Sequence, residues 1–195
     1  DDYARQALEQ LAQVFEDRRQ YPRAAQYWRE VIARFGPGQN DYRRKRLAQI
    51  VDNWGEFEPH HSDAAGEGAT VDYRFRNGHK VTFTAHRTNI RGLLDDTKEY
   101  LESNPARLDW DRVQLQRLGY RLITENQTKY IGPEVARWDR ELEPREDHFD
   151  RRITVATPLD GAGVYLLTAE MADGITSRII VWINNTIIVR KQLSE

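Results

Sequence analysis

The sequence predicts an α+β protein in which N-terminal helical hairpins lead into an antiparallel β-sandwich with one inserted helix. Three observations predict it. Apolar residues recur at three- and four-residue steps from Tyr3 to Trp54, a polar stretch without period follows, and from Val71 onward apolar and polar residues alternate. The expected division is a helical segment over 1–56, a linker over 57–69, and a β domain over 70–195 that contains a helix over 90–103.

In the first helix Ala4, Leu8, Leu11 and Phe15 share one face, with Ala7 and Val14 beside them. Tyr21-Pro22 then starts a second helix, because proline fits a first turn and breaks an interior. Its stripe is Ala24, Trp28, Val31 and Phe35, and Gly36-Pro37-Gly38 ends it. Tyr42, Leu47, Ile50, Val51 and Trp54 repeat the pattern in a third stretch. Paired helices with a short turn, alanines at the crossing, an aromatic in each helix and a terminal proline resemble a tetratricopeptide repeat, carried by Leu8, Leu11, Phe15, Tyr21, Ala24, Ala25, Trp28 and Pro37. Asp17 or Arg18 stands where that repeat usually has a glycine. One such repeat cannot bury both faces, so the hairpin is expected to continue in further repeats or to pack on the next domain.

Gly55 to Thr70 is small and polar and reads as the linker. Val71, Tyr73 and Phe75, then Val81, Phe83 and Ala85, flank Asn77-Gly78 and predict a β-hairpin, with His79 as the extra loop residue that keeps both apolar sets on one face. Ile90, Leu93, Leu94, Thr97 and Leu101 form one helical face, closed by Asn104-Pro105. Further strands are expected around Leu118–Leu122, Ala136–Leu142, Ile153–Val155, Tyr165–Ala169, Ile179–Ile183 and Ile187–Val189. Six or seven short strands at this spacing predict a sandwich.

Trp138 and Leu142, then His148, Arg151-Arg152, Pro158-Leu159, Gly163-Val164-Tyr165-Leu166-Leu167 and Ala169, together with Thr176 to Trp182, resemble a macroglobulin-type β-sandwich of bacterial alpha-2-macroglobulin-like proteins. The resemblance covers the last third of the chain, and large members with helical repeats ahead of their macroglobulin domains would suit Tyr3 to Trp54. It implies a scaffold fragment of a protein that traps or inhibits proteases, in a periplasmic, cell-surface or extracellular setting. Its partners would be other domains of the parent protein and, through the full-length molecule, proteases. The family's thioester cysteine and a recognisable bait segment are missing from these residues.

Composition narrows the chemistry. The chain has 195 residues, no cysteine and a net charge of -2 with both signs interleaved, so thiol catalysis and Cys-ligated zinc are excluded and no long-range field favours nucleic acid. Mean hydropathy is -0.80, and no apolar run approaches a membrane span. The chain begins Asp1-Asp2 and its only methionine is Met171, so it is expected to be a fragment whose signal sequence lies elsewhere. His60, His61 and Asp63 are the metal candidates, since imidazole and carboxylate suit zinc or nickel, but adjacent loop residues need a third ligand to converge, and the reading taken is a solvated linker with no metal and no cofactor. Trp28 and Trp54 are candidates for a peptide groove, against the alternative that aromatics at helical spacing are core. Arg43 and Arg44, in the run Arg43-Arg44-Lys45-Arg46, are candidate partner contacts on an exposed helix face. No catalytic motif occurs. The leading expectation is a non-enzymatic scaffold, with a repeat-type adaptor and an unrecognised hydrolase as the competing readings.

Overall fold

The computed structural model describes residues 2–60, 62–113 and 128–186. The strands expected at Leu118–Leu122 and Ile187–Val189 lie outside them, as does His61. Helices α1 (Asp2–Asp17) and α2 (Tyr21–Phe35) are joined by three residues, with Arg19 at a φ of 56°. So short a link makes the two helices antiparallel neighbours. Ala12, Ala24 and Ala25 are all fully buried, because methyl side chains let the helix axes approach. Gly36, at a φ of 77°, ends α2. Helix α3 (Tyr42–Val51) closes this first core, to which Leu8, Trp28, Val31 and Ile50 contribute.

Trp54 belongs to a strand and not to α3: β1 (Trp54–Phe57) pairs antiparallel with β3 (Thr70–Arg76), Trp54 opposite Arg76. The helical segment therefore runs straight into the sheet. The expected linker is likewise fastened to the sandwich. Strand β2 (Asp63–Ala64) makes a short parallel pair with β8 (Thr176–Asn184), and the Ala69 amide donates to the Leu159 carbonyl. Its attachments are backbone bonds and polar side-chain pairs, such as Glu58 with Arg152, and neither kind leaves an apolar period in the sequence.

Two sheets face each other. One has the order β1-β3-β6, where β6 is Arg151–Ala156; the other has the order β2-β8-β7-β4-β5, where β4 is Lys80–Thr88, β5 is Ile131–Glu141 and β7 is Gly163–Met171. The hairpin expected at Asn77-Gly78 is not formed: β3 and β4 lie in opposite sheets, and Asn77–His79 is the corner between them. Alternation explains the difference. Both strands carry their apolar residues at odd positions, and both odd sets point into the space between the sheets, where Tyr73 and Phe83 meet edge to face at 5.7 Å. A pattern that demands one common apolar face is met equally by strands that pair and by strands that face.

Helix α4 (Ile90–Glu102) covers the outer side of the second sheet. Asn89 caps it by accepting from the Gly92 amide, and Leu93 packs on Tyr130, Val164, Leu166 and Ile180. Covered on both sides, β7 is a nearly continuous buried run from Val164 to Leu167. Among the described residues no helix is long and apolar enough to cross a membrane.

Two buried polar atoms at the sandwich core, the Tyr73 hydroxyl and the Trp138 indole nitrogen, have no hydrogen-bond partner among the described residues. Tyr73 is fully buried against Phe57 and Phe83, and burial pushes the pKa of its hydroxyl up. Tyr73→Phe removes that oxygen and keeps the ring, so unfolding in urea should shift to higher concentration at constant slope, a gain of about 1 kcal/mol. A comparable loss would mean that the hydroxyl is satisfied.

Candidate functional site at the helix–sandwich junction

The helices and the sandwich meet around Asn77, which sits at a φ of 62°, a left-handed conformation that asparagine tolerates better than most residues. Its amide nitrogen donates to the carbonyls of Ile50 and Asp52, each at 2.8 Å, where α3 ends. Its amide oxygen accepts from Nδ1 of His148 at 2.8 Å. With both donors spent on carbonyls, the oxygen must face the ring, and the ring nitrogen must carry the proton. Nearby, Tyr21 at the start of α2 meets Phe149 edge to face at 5.2 Å, and Asn53 donates to Asp173 at 2.7 Å. Three loops of the sandwich thus grip α2 and the segment that follows α3.

Trp28 is 1% exposed and lies inside the helical core, where its Nε1 donates to Glu16 and its ring edge meets Tyr42. It offers no surface to a partner. Trp54 is half-buried in β1, beneath the guanidinium groups of Arg74 and Arg76 at 5.2 and 5.7 Å. The two tryptophans are in different layers and form no common groove.

The basic run divides by direction. Arg43 is 7% exposed, pairs with Glu9 at 2.6 Å and donates to the carbonyls of Phe35 and Gly36, which close the end of α2. Arg46 reaches Gln13 and Glu16 on α1. These two therefore hold the three helices together, while Arg44 stays exposed beside Asp41 at 3.6 Å. Local spacing could not separate them, because the partners lie about thirty residues earlier.

Of the metal candidates, His60 Nε2 and Asp63 Oδ2 come together at 2.6 Å, and both side chains are largely buried. Asp72 lies close by. The Thr154 hydroxyl and the Arg152 guanidinium, with a smaller contribution from His60, hold its carboxyl below the usual carboxylate range. Arg152 also pairs with Glu58 at 2.7 Å. Among the described residues no three His, Cys, Asp or Glu side chains are placed to hold a metal ion. The arrangement is a polar lattice that ties the segment after β1 to the outer side of the first sheet.

What sequence reasoning missed is Asn77 and His148 acting as a pair. Asn77 stands out in the sequence only as a turn residue and His148 only within the macroglobulin-like segment, and their contact, 71 residues apart, spans the two sheets. Burial, with Arg29 and Arg76 close by, lowers the His148 pKa below its usual 6.5, against a weaker pull from Asp147. The folded protein therefore favours the neutral ring. Its stabilising contribution is whole above about pH 6.5 and is lost as pH falls from there through the folded pKa. His148→Gln should flatten the fall in melting temperature between about pH 7.5 and 5, and an unchanged slope would assign that fall to other groups. Arg43→Met should cost about 3 kcal/mol by leaving two carbonyls at the end of α2 and one Glu9 oxygen without their donor, with Arg5 still holding the other oxygen, whereas Arg44→Ala should stay within about 0.5 kcal/mol, both read by chemical unfolding.

No protein-family model matches the chain, and no curated protein matches it. Among solved structures, a fragment of native alpha-2-macroglobulin from Escherichia coli spanning its MG0-NIE-MG1 domains is similar at 15% identity over 67% of this chain, with a TM-score of 0.39. A second fragment of that protein, spanning NIE-MG1, is 17% identical over 68% of this chain, with a TM-score of 0.36. The CARDB domain of a Pyrococcus furiosus protein, in complex with di-metal ions, is 9% identical over 69% of this chain and 94% of its own, with a TM-score of 0.33. The present chain spans 39% of the first of these structures and 61% of the second.

Proposed function

We propose that the chain is a non-catalytic scaffold module of a large, extracytoplasmic alpha-2-macroglobulin-like protein, with tetratricopeptide-like helices fused to a macroglobulin-like sandwich. Restraint of proteases would then belong to the whole molecule and not to this part. The observation that supports the reading is the junction. The chain passes from α3 into β1 almost directly, and Asn77 fixes the end of α3 to the corner of the sandwich, an arrangement suited to passing position from one domain to the next. The residues behind the sequence resemblance hold structural posts. Trp138 stacks on Phe83 at 5.3 Å, the Tyr165 hydroxyl donates to the Gly161 carbonyl at 2.8 Å, and Arg151 and Arg152 pair with neighbouring carboxylates.

The adaptor reading has one observation in its favour: Tyr3, Leu11 and Val14 leave an exposed apolar stripe along α1. An upstream helical hairpin of the same protein would cover that stripe, and so would a peptide.

The test pairs the isolated chain with its full-length parent. The isolated chain should show no turnover on ester, glycoside or phosphate substrates and no inhibition of trypsin. The parent should shield a large protein substrate from trypsin while leaving a small peptide substrate accessible. Turnover by the isolated chain that a single carboxylate or histidine substitution abolishes would overturn the non-catalytic reading, and equal cleavage of both substrates in the parent's presence would overturn the trapping role.

A further inference from the structure

A cleft of about 470 Å³ opens where the end of β4, the start of α4, the start of β5 and the start of β7 converge, lined by Arg87, Thr88, Ile90, Arg91, Pro133 and Val164 among others. Its shape has a backbone cause. The register between β4 and β5 slips twice, between Ala85 and His86 and again between His86 and Thr88, so the two strands part at this end of the sheet. Gly132 keeps the floor open: a Cβ there would lie 2.5 Å from the Arg87 carbonyl oxygen, closer than real contacts permit.

Four features of the lining have one chemical complement. Thr88 is 6% exposed, and its hydroxyl has no hydrogen-bond partner among the described residues, although buried hydroxyls are ordinarily satisfied. Helix α4 begins at Ile90 and is long enough to present a positive end. Asn89 uses the Gly92 amide, and the Leu93 amide bonds the Asn89 carbonyl, which leaves the Ile90 and Arg91 amides as the spare donors of the first turn. Among the described residues the Arg87 guanidinium makes a single hydrogen bond, at 3.3 Å to the Ala162 carbonyl, and Arg91 forms no ion pair. The lining contains two guanidinium groups and no carboxylate; the carboxylate of Glu134, just beyond it on β5, lies 4.0 Å from Arg137. Ile90, Pro133 and Val164 supply the apolar wall, and the volume lies in the range of small-molecule sites.

We propose that this cleft binds an oxyanion head group, carboxylate or phosphate, carried on a short apolar body. The head would take the spare amides at the α4 N-terminus, the Thr88 hydroxyl and the two guanidinium groups, all donors, and the body would rest on Ile90, Pro133 and Val164. The site is independent of the scaffold role, since it lies at the far end of β4 from Asn77 and uses none of the junction's residues.

The test is a titration of the full 195-residue chain, followed by amide chemical shifts, with phenyl phosphate, phenylacetate, inorganic phosphate and benzylamine. Phenyl phosphate or phenylacetate should give saturable shifts centred on Ile90, Arg91 and Gly92, with inorganic phosphate binding more weakly and benzylamine leaving those amides unmoved. Arg91→Gln, at an exposed position, and Thr88→Val should each weaken binding about tenfold. Should Thr88→Val fail to fold, Arg91→Gln and Arg87→Gln carry the test. Shifts that never saturate, an equal response to benzylamine, or undiminished binding by the arginine variants would overturn the site. Inorganic phosphate binding as tightly as phenyl phosphate would overturn the part assigned to the apolar wall.

Discussion

The side-chain amide of Asn77 holds the two halves of this protein in one arrangement. It stands at the corner where the chain leaves one sheet for the other, and from there it donates to the last carbonyls of the third helix while accepting from His148 on a third loop. Each bond is modest, worth about 1 kcal/mol net. Their weight comes from geometry, because one planar group satisfies three elements at once and can do so in only one relative position. Once that position is set, β1 follows α3 with two intervening residues, Trp54 lands beneath Arg74 and Arg76, and the first sheet gains its edge strand.

The two cores on either side of the corner are built by different means. The helical core is small, and its charged residues complete it: Arg43 and Arg46 turn inward to Glu9 and Glu16, so part of a surface-like basic run serves as internal bracing. The sandwich core needs no such help. Phe57, Tyr73, Phe75 and Phe83 supply enough aromatic area to fill the space between the sheets, at the expense of one stranded tyrosine hydroxyl. Buried ion pairs and buried aromatics respond differently to substitution, and the helical half is accordingly the more sensitive to loss of a single partner.

Much of this was legible in the sequence. Three-to-four spacing located the helices, proline and glycine placed their ends, and alternation located β3, β4, β6, β7 and β8. Alternation did not say which strands pair, because Val71–Phe75 and Val81–Ala85 satisfy their parity equally by pairing or by facing. The polar stretch after Phe57 reads as a linker because its attachments are backbone bonds and polar side-chain pairs, which carry no apolar period. The roles of Arg43, Asn77 and His148 were hidden for a further reason: each depends on a partner 25 or more residues away, which no local pattern encodes. The oxyanion cleft was equally invisible, since Thr88 is ordinary in a strand and becomes unusual only when its hydroxyl is buried without a partner.

Because Asn77 ties the end of α3 to the sandwich corner, helices and sandwich should open as one cooperative unit. Native-state amide hydrogen exchange at increasing denaturant tests it most directly, by comparing amides of α2 and α3 with those of β3 and β7 in the wild type and in Asn77→Ala. The predicted result is that both sets merge into a single opening free energy in the wild type and separate in the variant, the helices opening first. Helices that exchange at their own lower free energy in the wild type, unaltered by the substitution, would contradict it.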